Sequence, residues 1–318
     1  MTRSVGHRVN VSNGLFLLSL AVLFNLYMTI WVYQSGCSLD ANNMNITMTT
    51  SKLTFLGENG PGPSYATLQA KPKKTQELSI NIPANSTTPS LAVVSVCIPG
   101  DRFSQDYINL SHNNKRHYCQ RYNATCILPT EQVSENSKTK KHKKWDKLYH
   151  IEKTLRTTNV EWVLWMDCDT AFTNFDIHWY LHLEKHLNRS KLMVASEDQG
   201  GINLGVFLVP NTVEARSFIS NLYDLRHIIE AKKLFHKDQS ALKTVLTQQP
   251  QLKSKIEIVD QKLLNTYLDN NAGKLWSPSD FIVHQVFCLD FVACSSNFTK
   301  LVKNITPPSS TGLKQIKS

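Results

Sequence analysis

A tryptophan-rich apolar segment that runs directly into two acids constrains the fold of this chain more than any other feature. The segment at 161–166 reads Glu-Trp-Val-Leu-Trp-Met, and Asp167-Cys168-Asp169 follows it at once. A short, mostly apolar run of this kind is typical of a buried strand. The sequence therefore predicts a central strand that ends in two carboxylates at the edge of a sheet.

The spacing of these two acids predicts a metal site. Residues i and i+2 of an extended chain point to the same side, so Asp167 and Asp169 can converge on one cation. Mg²⁺ and Mn²⁺ take oxygen ligands, and near a phosphate they are held by one or two carboxylates together with the phosphate. The pattern fits an enzyme that binds a nucleotide diphosphate through a metal. A solvated turn after a strand is the alternative.

The N-terminal region predicts a membrane anchor. The run from Gly14 to Tyr33 is apolar and uncharged, and a helix needs about 20 such residues to cross a bilayer core. A cleaved signal peptide is the alternative, because small residues follow at 35–37, but the apolar core of a signal is normally about 7–15 residues long. Arg3 and Arg8 precede the run, so the positive-inside rule places the N-terminus in the cytosol and the remainder in the lumen.

Composition divides the chain further. The stretch from about Ser38 to Pro89 is dominated by Asn, Thr, Ser, Pro and Gly. Such a stretch buries too little apolar surface to offset its ordering entropy. The sequence predicts a cytosolic tail at 1–13, a transmembrane signal anchor at 14–33, a flexible lumenal stem at 34–89, one globular domain at 90–303 and a disordered tail at 304–318.

Acceptor sequences for N-glycosylation and the cysteines agree with a lumenal address. Beyond the apolar run, Asn-x-Ser/Thr occurs at Asn45, Asn85, Asn109, Asn123, Asn188, Asn297 and Asn304. Two close cysteine pairs, Cys119 with Cys126 and Cys288 with Cys294, predict local disulfides in an oxidising compartment. Cys37 can link two chains into a homo- or hetero-oligomer, and an unpaired or palmitoylated thiol is the alternative.

Strand and helix signals alternate along the globular region. Apolar runs predict strands at 91–98, 126–128, 161–166, 191–195, 206–209 and 256–259. Helical spacing of apolar residues predicts helices at 145–155, 213–225 and 239–246, and a polar stretch at 107–122 predicts another. This alternation predicts a mainly parallel, doubly wound α/β sheet, in which ligands bind at the carboxyl ends of strands. Asp167 and Asp169 fall at such an end.

The order of motifs resembles that of glycosyltransferase family 34, a group of galactosyl-, xylosyl- and mannosyltransferase-like type II membrane enzymes of the Golgi with a GT-A fold. The clearest block is 162–170, where the family has a Trp-rich strand that enters an Asp-x-Asp motif. Further blocks stand in the family's order at 114–119, 145–148, 201–208, 238–242 and 281–288. The resemblance implies a Rossmann-like GT-A sheet flanked by helices, and a single-pass enzyme of the Golgi or ER membrane with its catalytic domain at 90–303 in the lumen.

The resemblance also implies a set of metal ligands. Asp169 corresponds to the closest ligand of Mn²⁺ or Mg²⁺, and Asp167 reaches the metal through water or contacts the ribose of the nucleotide. His284 corresponds to a metal-binding histidine near the end of the domain. From the residues alone, a lone histidine after an apolar run is a structural side chain.

Four further residues are candidates for donor binding. The family places an Asn-x-Gly segment, here Asn203-Leu-Gly205, beside the donor sugar. A glycine pair, Gly200-Gly201, precedes it and allows close backbone approach to a ligand, although ordinary turn chemistry also explains the pair. Asp198 precedes it and can hydrogen-bond sugar hydroxyls. Lys147 ends a basic stretch that begins at 138. This stretch is typical of a solvated loop before a helix, and the alternative is that Lys144 or Lys147 holds the diphosphate.

Asp238 and Gln239 are the catalytic candidates. In the family the matching pair lies near the anomeric carbon, opposite the leaving group, and transfer retains the anomeric configuration. The pair can stabilise positive charge on the sugar ring or supply a transient nucleophile, and a short-lived ion pair without a protein nucleophile is the alternative. From the residues alone, Asp238 is the N-cap of a helix.

The chain departs from the family pattern at several positions. Lys237 replaces an acid, Gln285 and Phe287 replace Phe and Gly, and Leu289 replaces a basic residue expected to meet the diphosphate. The favoured interpretation is a metal-dependent retaining glycosyltransferase that uses a nucleotide diphosphate sugar, UDP-galactose first and UDP-xylose or GDP-mannose next, and a glycan or glycoprotein acceptor. A catalytically inactive scaffold or glycan-binding subunit is the alternative. The formal charge of +10 suggests nucleic acid, but a lumenal address excludes that partner.

Overall fold

The computed structural model describes residues 88–100, 103–131, 144–234, 236–268, 272–286 and 291–307. The predicted cytosolic tail, the anchor at 14–33, nearly all of the stem and most of the predicted tail after 303 lie outside these ranges. Within them, no helix is both long enough and apolar enough to cross a membrane.

Nine strands are present in the described residues: β1 (Leu91–Val94), β2 (Thr125–Ile127), β3 (Trp162–Met166), β4 (Thr170–Phe172), β5 (Met193–Asp198), β6 (Gly201–Pro210), β7 (Ile256–Val259), β8 (Thr266–Tyr267) and β9 (Ile282–His284). Six of them form the central sheet in the order β2-β1-β3-β6-β5-β7. Neighbouring strands pair in parallel except that β6 runs antiparallel to both β3 and β5. The predicted mainly parallel α/β sheet is therefore confirmed.

The helices among the described residues are α1 (Gln105–Arg121), α2 (Asp146–Thr157), α3 (Trp179–Leu183), α4 (Val213–Asp224), α5 (Arg226–Ala231), α6 (Lys237–Gln248), α7 (Gln261–Leu264) and α8 (Phe291–Ile305), with 3₁₀ turns at Glu184–His186 and Pro250–Lys255. The helix predicted at 213–225 is α4, which ends one residue earlier, and α5 follows it beyond the predicted range. Helix α8 continues to Ile305, two residues past the predicted domain end.

The alternation of side chains along the strands builds a core on each face of the sheet. In β3, Val163 and Trp165 pack with residues of α2, α4 and α6 on one face. Trp162, Leu164 and Met166 pack on the other face with residues of α1, α3 and β4. All five are buried, as a central strand covered by helices requires.

A second sheet of three strands, in the order β4-β9-β8, stands next to the end of β3. Strand β4 begins directly after Asp169 and pairs antiparallel with β9, with Thr170 opposite His284. Strand β8 pairs with the other edge of β9 and sets Tyr267 beside His284. The small sheet therefore carries a distant part of the chain to the two acids.

Two disulfides lie in the described residues. Cys119 and Cys126 are joined, as the sequence predicted. Cys97 is joined to Cys168, the residue between the two acids, across a separation of 71 residues; this bond was not predicted. Cys288 lies outside the described residues, so its pairing with Cys294 stays a prediction.

Candidate functional site

The two acids and His284 converge at the end of β3. The potential ligand atoms of Asp167, Asp169 and His284 all lie within 4.8 Å of one another. His284 Nε2 is 3.5 Å from Asp169 Oδ1, and the backbone N–H of Gln285 donates to the Asp169 carbonyl at 2.9 Å. Two carboxylates and an imidazole suit Mn²⁺ or Mg²⁺, with positions left for a phosphate.

The imidazole of His284 is oriented from behind. Its Nδ1 is 3.1 Å from Oδ1 of the buried Asn265. An amide oxygen accepts only, so Nδ1 carries the proton and Nε2, which faces Asp169, is left with a lone pair. Metal-binding histidines are fixed in this way by a partner on the other ring nitrogen. The donor set therefore fits a metal.

Lys147 lies between two carboxylates of the site. Its Nζ donates to Asp238 Oδ2 at 2.7 Å and is 3.0 Å from Asp167 Oδ1; it also donates to the Leu204 carbonyl at 2.7 Å. Burial alone would lower the pKa of Lys147, but the carboxylates of Asp167 and Asp238 outweigh it and hold the pKa above its ordinary value. Lys147 is thus a fixed ammonium at the site and not a solvated loop residue.

The pKa of Asp167 is subject to opposing effects. Burial raises its pKa, the ammonium of Lys147 lowers it, and the nearby carboxylate of Asp169 raises it; the net result lies above the ordinary value. The indole N–H of Trp165 also donates to Asp167 Oδ1 at 2.7 Å. A divalent cation would favour the ionised forms of both acids.

Helix α6 begins differently from the prediction. The N-cap is His236, which has left-handed backbone angles (φ 48°, ψ 58°) and makes no capping bond with its side chain. Asp238 belongs to the first turn, and its carboxylate binds Lys147 instead. The predicted N-cap role of Asp238 is therefore wrong, because a buried ammonium attracts the carboxylate more strongly than exposed backbone N–H groups do.

The hairpin of β5 and β6 places the predicted sugar-binding residues together. Asp198 and Gly201 are paired at its tip. The amide nitrogen of Asn203 donates to Asp198 Oδ2 at 2.9 Å and lies 2.9 Å from the hydroxyl of Tyr267. That hydroxyl also donates to Asp198 Oδ2 in a short hydrogen bond. Burial raises the pKa of Tyr267, and the bond to Asp198 adds to the rise, so the phenol stays protonated and donates.

This polar cluster is continuous with the candidate metal ligands. Asn203 Oδ1 accepts from Asn265 Nδ2 at 3.0 Å, and Asn265 in turn binds His284. The backbone N–H of Gly205 donates to Asn203 Oδ1 at 2.7 Å. Hydrogen bonds therefore link Asp198, at the hairpin, to His284 through two buried amides.

Gly205 is required by close packing against His284. A Cβ at this position would lie 2.1 Å from His284 Cε1 and 2.6 Å from His284 Nδ1. The carbonyl of Gly205 also accepts from the backbone N–H of Asp167 at 2.8 Å. Only glycine lets β6 pass this close to His284.

A family model described as the galactosyl transferase GMA12/MNN10 family matches residues 91–192 and 180–295. The chain belongs to this family. The matched ranges contain the central sheet and every residue of the polar cluster described above, and the predicted resemblance to glycosyltransferase family 34 is confirmed.

The chain is also similar to two yeast proteins. This member of the GMA12/MNN10 family is 23% identical over 219 residues to the probable alpha-1,6-mannosyltransferase MNN10 of Saccharomyces cerevisiae, covering 56% of the chain and 55% of that protein. It is 20% identical over 244 residues to an alpha-1,2-galactosyltransferase of Schizosaccharomyces pombe, covering 64% of each. The chain thus spans between about half and two thirds of the length of these relatives.

Among solved structures, the fold resembles that of a glycosyltransferase involved in the glycosylation of the major capsid of PBCV-1. The TM-score is 0.53 at 15% identity, and the match covers 67% of this chain and all of that one. The likeness concerns the fold, and it agrees with the predicted GT-A architecture.

The remaining predicted residues and departures have identifiable positions. Gln239 is half-buried, and its amide nitrogen donates to the Ile202 carbonyl at 3.3 Å. Lys237, which replaces an acid of the family pattern, donates to Glu230 at 2.9 Å, so it supports the fold beside the site. Phe287 and Leu289 lie outside the described residues.

The sequence did not reveal two residues of the cluster, Asn265 and Tyr267. Both are buried; Asn265 lies between α7 and β8, and Tyr267 is the second residue of β8. Residues 266–267 form a strand of only two residues, too short for any periodic signal. Their role follows from their contacts with Asp198, Asn203 and His284.

Proposed function

We propose that this chain is a metal-dependent glycosyltransferase that moves a sugar from a nucleotide diphosphate sugar to a glycan or glycoprotein acceptor in the secretory pathway. The observation that carries the proposal is the convergence of Asp167, Asp169 and His284 within 4.8 Å, next to the hydrogen-bonded pair of Asp198 and Asn203. The metal-ligating groups at one end suit the diphosphate of a donor, and the hydrogen-bonding side chains at the other end suit the hydroxyls of its sugar.

Each group has a role under this proposal. Asp167, Asp169 and His284 hold Mn²⁺ or Mg²⁺, which, when bound, supplies a Lewis acid that neutralises charge on the departing diphosphate. Lys147 fixes Asp167 and Asp238 at the same time. Preorganised charges of this kind lower a barrier because they need no rearrangement during the reaction.

Asp198 and Asn203 bind hydroxyls of the sugar, with Gly205 allowing the close approach of β6 to His284. Asp238 and Gln239 line the side of the site where positive charge develops on the sugar ring, and transfer retains the anomeric configuration. Galactose is the proposed sugar, with xylose and mannose as the next candidates. We assign the enzyme to the Golgi or ER membrane, anchored through 14–33 with residues 90–303 in the lumen.

The test is donor hydrolysis by the full chain, produced in the secretory pathway of a eukaryotic host. A panel of UDP-galactose, UDP-xylose and GDP-mannose is incubated with Mn²⁺ and, separately, with a chelator. We expect turnover of one donor, loss of turnover with the chelator, and a loss of at least about 100-fold in Asp169→Ala, because the variant lacks a charged metal ligand.

Asp176→Asn is the matched control, since Asp176 is highly exposed and pairs with Arg121 on the surface. It should keep the activity of the wild type. If the folded protein hydrolyses no donor and binds no nucleotide in the presence of Mn²⁺, the scaffold interpretation replaces the enzyme.

A further inference from the structure

Side chains on one face of helix α1, the α1 stripe, hydrogen-bond to the backbone of the segment from Cys168 to Phe172. The Ser111 hydroxyl donates to the Cys168 carbonyl at 2.6 Å. The Asn114 side chain accepts from the Phe172 N–H at 2.8 Å and donates to the Phe172 carbonyl at 3.0 Å. Residues 111, 114 and 115 lie on one face of a helix, so a single element supports the segment from Cys168 to Phe172.

The remaining member of the stripe, Lys115, is a charged side chain with no exposure to solvent. Its Nζ donates to the Thr170 carbonyl at 2.9 Å and to Ser111 Oγ at 2.7 Å. Thr170 directly follows Asp169, and Ser111 binds the residue between the two acids. The ammonium therefore lies underneath the segment that carries both carboxylates.

The setting of Lys115 is otherwise costly. Burial lowers its pKa to about 7, and the charges of Asp169 and Asp167 oppose this shift. His112, whose pKa burial and the charge of Lys115 lower to about 3, offers Lys115 no attraction. A neutral side chain of the same length would avoid the cost of burying a charge, so the hydrogen bonds to Thr170 and Ser111 and the charges of the two acids together account for a lysine at this position.

We propose that Lys115 is a positioning residue that acts as a built-in counter-cation, holding Asp167 and Asp169 together whether or not the metal is bound. The inference rests on the proposed metal dependence. It assigns the two acids a second cation beneath the backbone, on the side of the segment that α1 covers. Lys115 and the metal then partly substitute for one another, because each offsets the repulsion between the same carboxylates.

The test compares thermal unfolding and Mn²⁺ affinity in wild type, Lys115→Met and Ser111→Ala, each as the full chain. Without the ammonium, the acids repel one another more and attract the metal more. We expect Lys115→Met to unfold at a lower temperature than wild type in chelator, to gain more from Mn²⁺ than wild type does, and to bind Mn²⁺ on the order of tenfold more tightly.

Ser111→Ala separates charge from packing. It removes the bond to the Cys168 carbonyl and one of the two acceptors of Lys115, but it keeps the charge and its bond to the Thr170 carbonyl. Its unfolding temperature should therefore fall while its stabilisation by Mn²⁺ stays that of the wild type. A residue with only a structural role would lower the unfolding temperature equally with and without Mn²⁺. That result for Lys115→Met would overturn the proposal.

Two further outcomes are informative. Should Lys115→Met yield no folded protein in chelator, Lys115→Gln, which keeps an N–H donor without the charge, takes its place; absence of folding of both variants even in excess Mn²⁺ would also overturn the proposal. A wild type that Mn²⁺ does not stabilise would instead contradict the proposed metal dependence, so the two failures are distinguishable.

Discussion

At the scale of single residues, the site depends on close, buried contacts that other residue types could not make. Lys147 and Asp238 are 10% and 11% exposed at the side chain and bind each other at 2.7 Å. Removing one partner of such a buried pair leaves an uncompensated charge, which costs about 3–5 kcal/mol. Gly205 is an equally strict case, because the missing Cβ is what admits the imidazole of His284.

Gly205→Ala should therefore weaken the site through overpacking. The new methyl group overlaps His284 Cε1, and insertions of this size cost about 1–3 kcal/mol in a packed interior. We expect a lower free energy of unfolding in denaturant and a weaker affinity for Mn²⁺.

A double-mutant cycle identifies the cause. In a His284→Ala background the imidazole is gone, so Gly205→Ala should destabilise the protein much less than it destabilises the wild type. Equal losses in both backgrounds would mean that contact with His284 is not the reason for the glycine.

At the scale of elements, short strands and one helix position the residues of the candidate site. Thr170 pairs with His284 across β4 and β9, and the hairpin of β5 and β6 brings Asp198 to Asn203. The Asn114 side chain pairs with both backbone polar groups of Phe172. These pairings bring together residues from five elements that are separated in the sequence.

Asn114→Ala should be clearly destabilising. It leaves a buried N–H and a buried carbonyl of Phe172 without their partner, and each such group costs about 1–3 kcal/mol. The free energy of unfolding, measured by urea denaturation, should fall by about 2–5 kcal/mol.

Asn113→Ala is the matched control, because Asn113 is the exposed neighbour on the same helix and only accepts from Arg116 at the surface. Its effect should stay within about 0.5 kcal/mol. Similar losses in the two variants would contradict the role assigned to the bonds with Phe172.

The sequence predicted the long elements well and the short ones poorly. Strand β3 and the helix at 145–155 have strong apolar periodicity, and both were found within two residues of the structure. Strand β6 begins at Gly201, five residues before the predicted start, because Gly201, Asn203 and Gly205 interrupt the apolar pattern that predicts a strand. Asn265 and Tyr267 were missed because a strand of two residues has no period to detect.

At the scale of the whole molecule, two covalent links tie distant parts of the chain. The bond between Cys97 and Cys168 joins the end of β1 to the Asp-Cys-Asp segment. The bond between Cys119 and Cys126 joins α1 to β2. Sequence spacing predicted the second, which spans 7 residues, but it could not predict the first, which spans 71 and depends on the parallel pairing of β1 and β3.

The longer link should stabilise the fold more. The chain-entropy model gives about 4 kcal/mol for a loop of this length and about 2 kcal/mol for the shorter loop. We expect Cys97→Ser/Cys168→Ser to lower the free energy of unfolding more than Cys119→Ser/Cys126→Ser does. The comparison uses denaturant unfolding without reductant, and the opposite order would argue that strain or residual structure outweighs loop entropy.

The hydrogen-bonded series from Asp198 through Asn203 and Asn265 to His284 bears on attempts to change the proposed sugar preference of the site. A substitution at Asp198 meant to admit another sugar also removes the acceptor for Tyr267 and Asn203, and the disturbance reaches a proposed metal ligand two amides away. Libraries that vary Asp198 alone will therefore sample mostly damaged sites. Productive changes of donor preference should come from joint variation of positions 198, 203 and 267, selected for retained metal affinity.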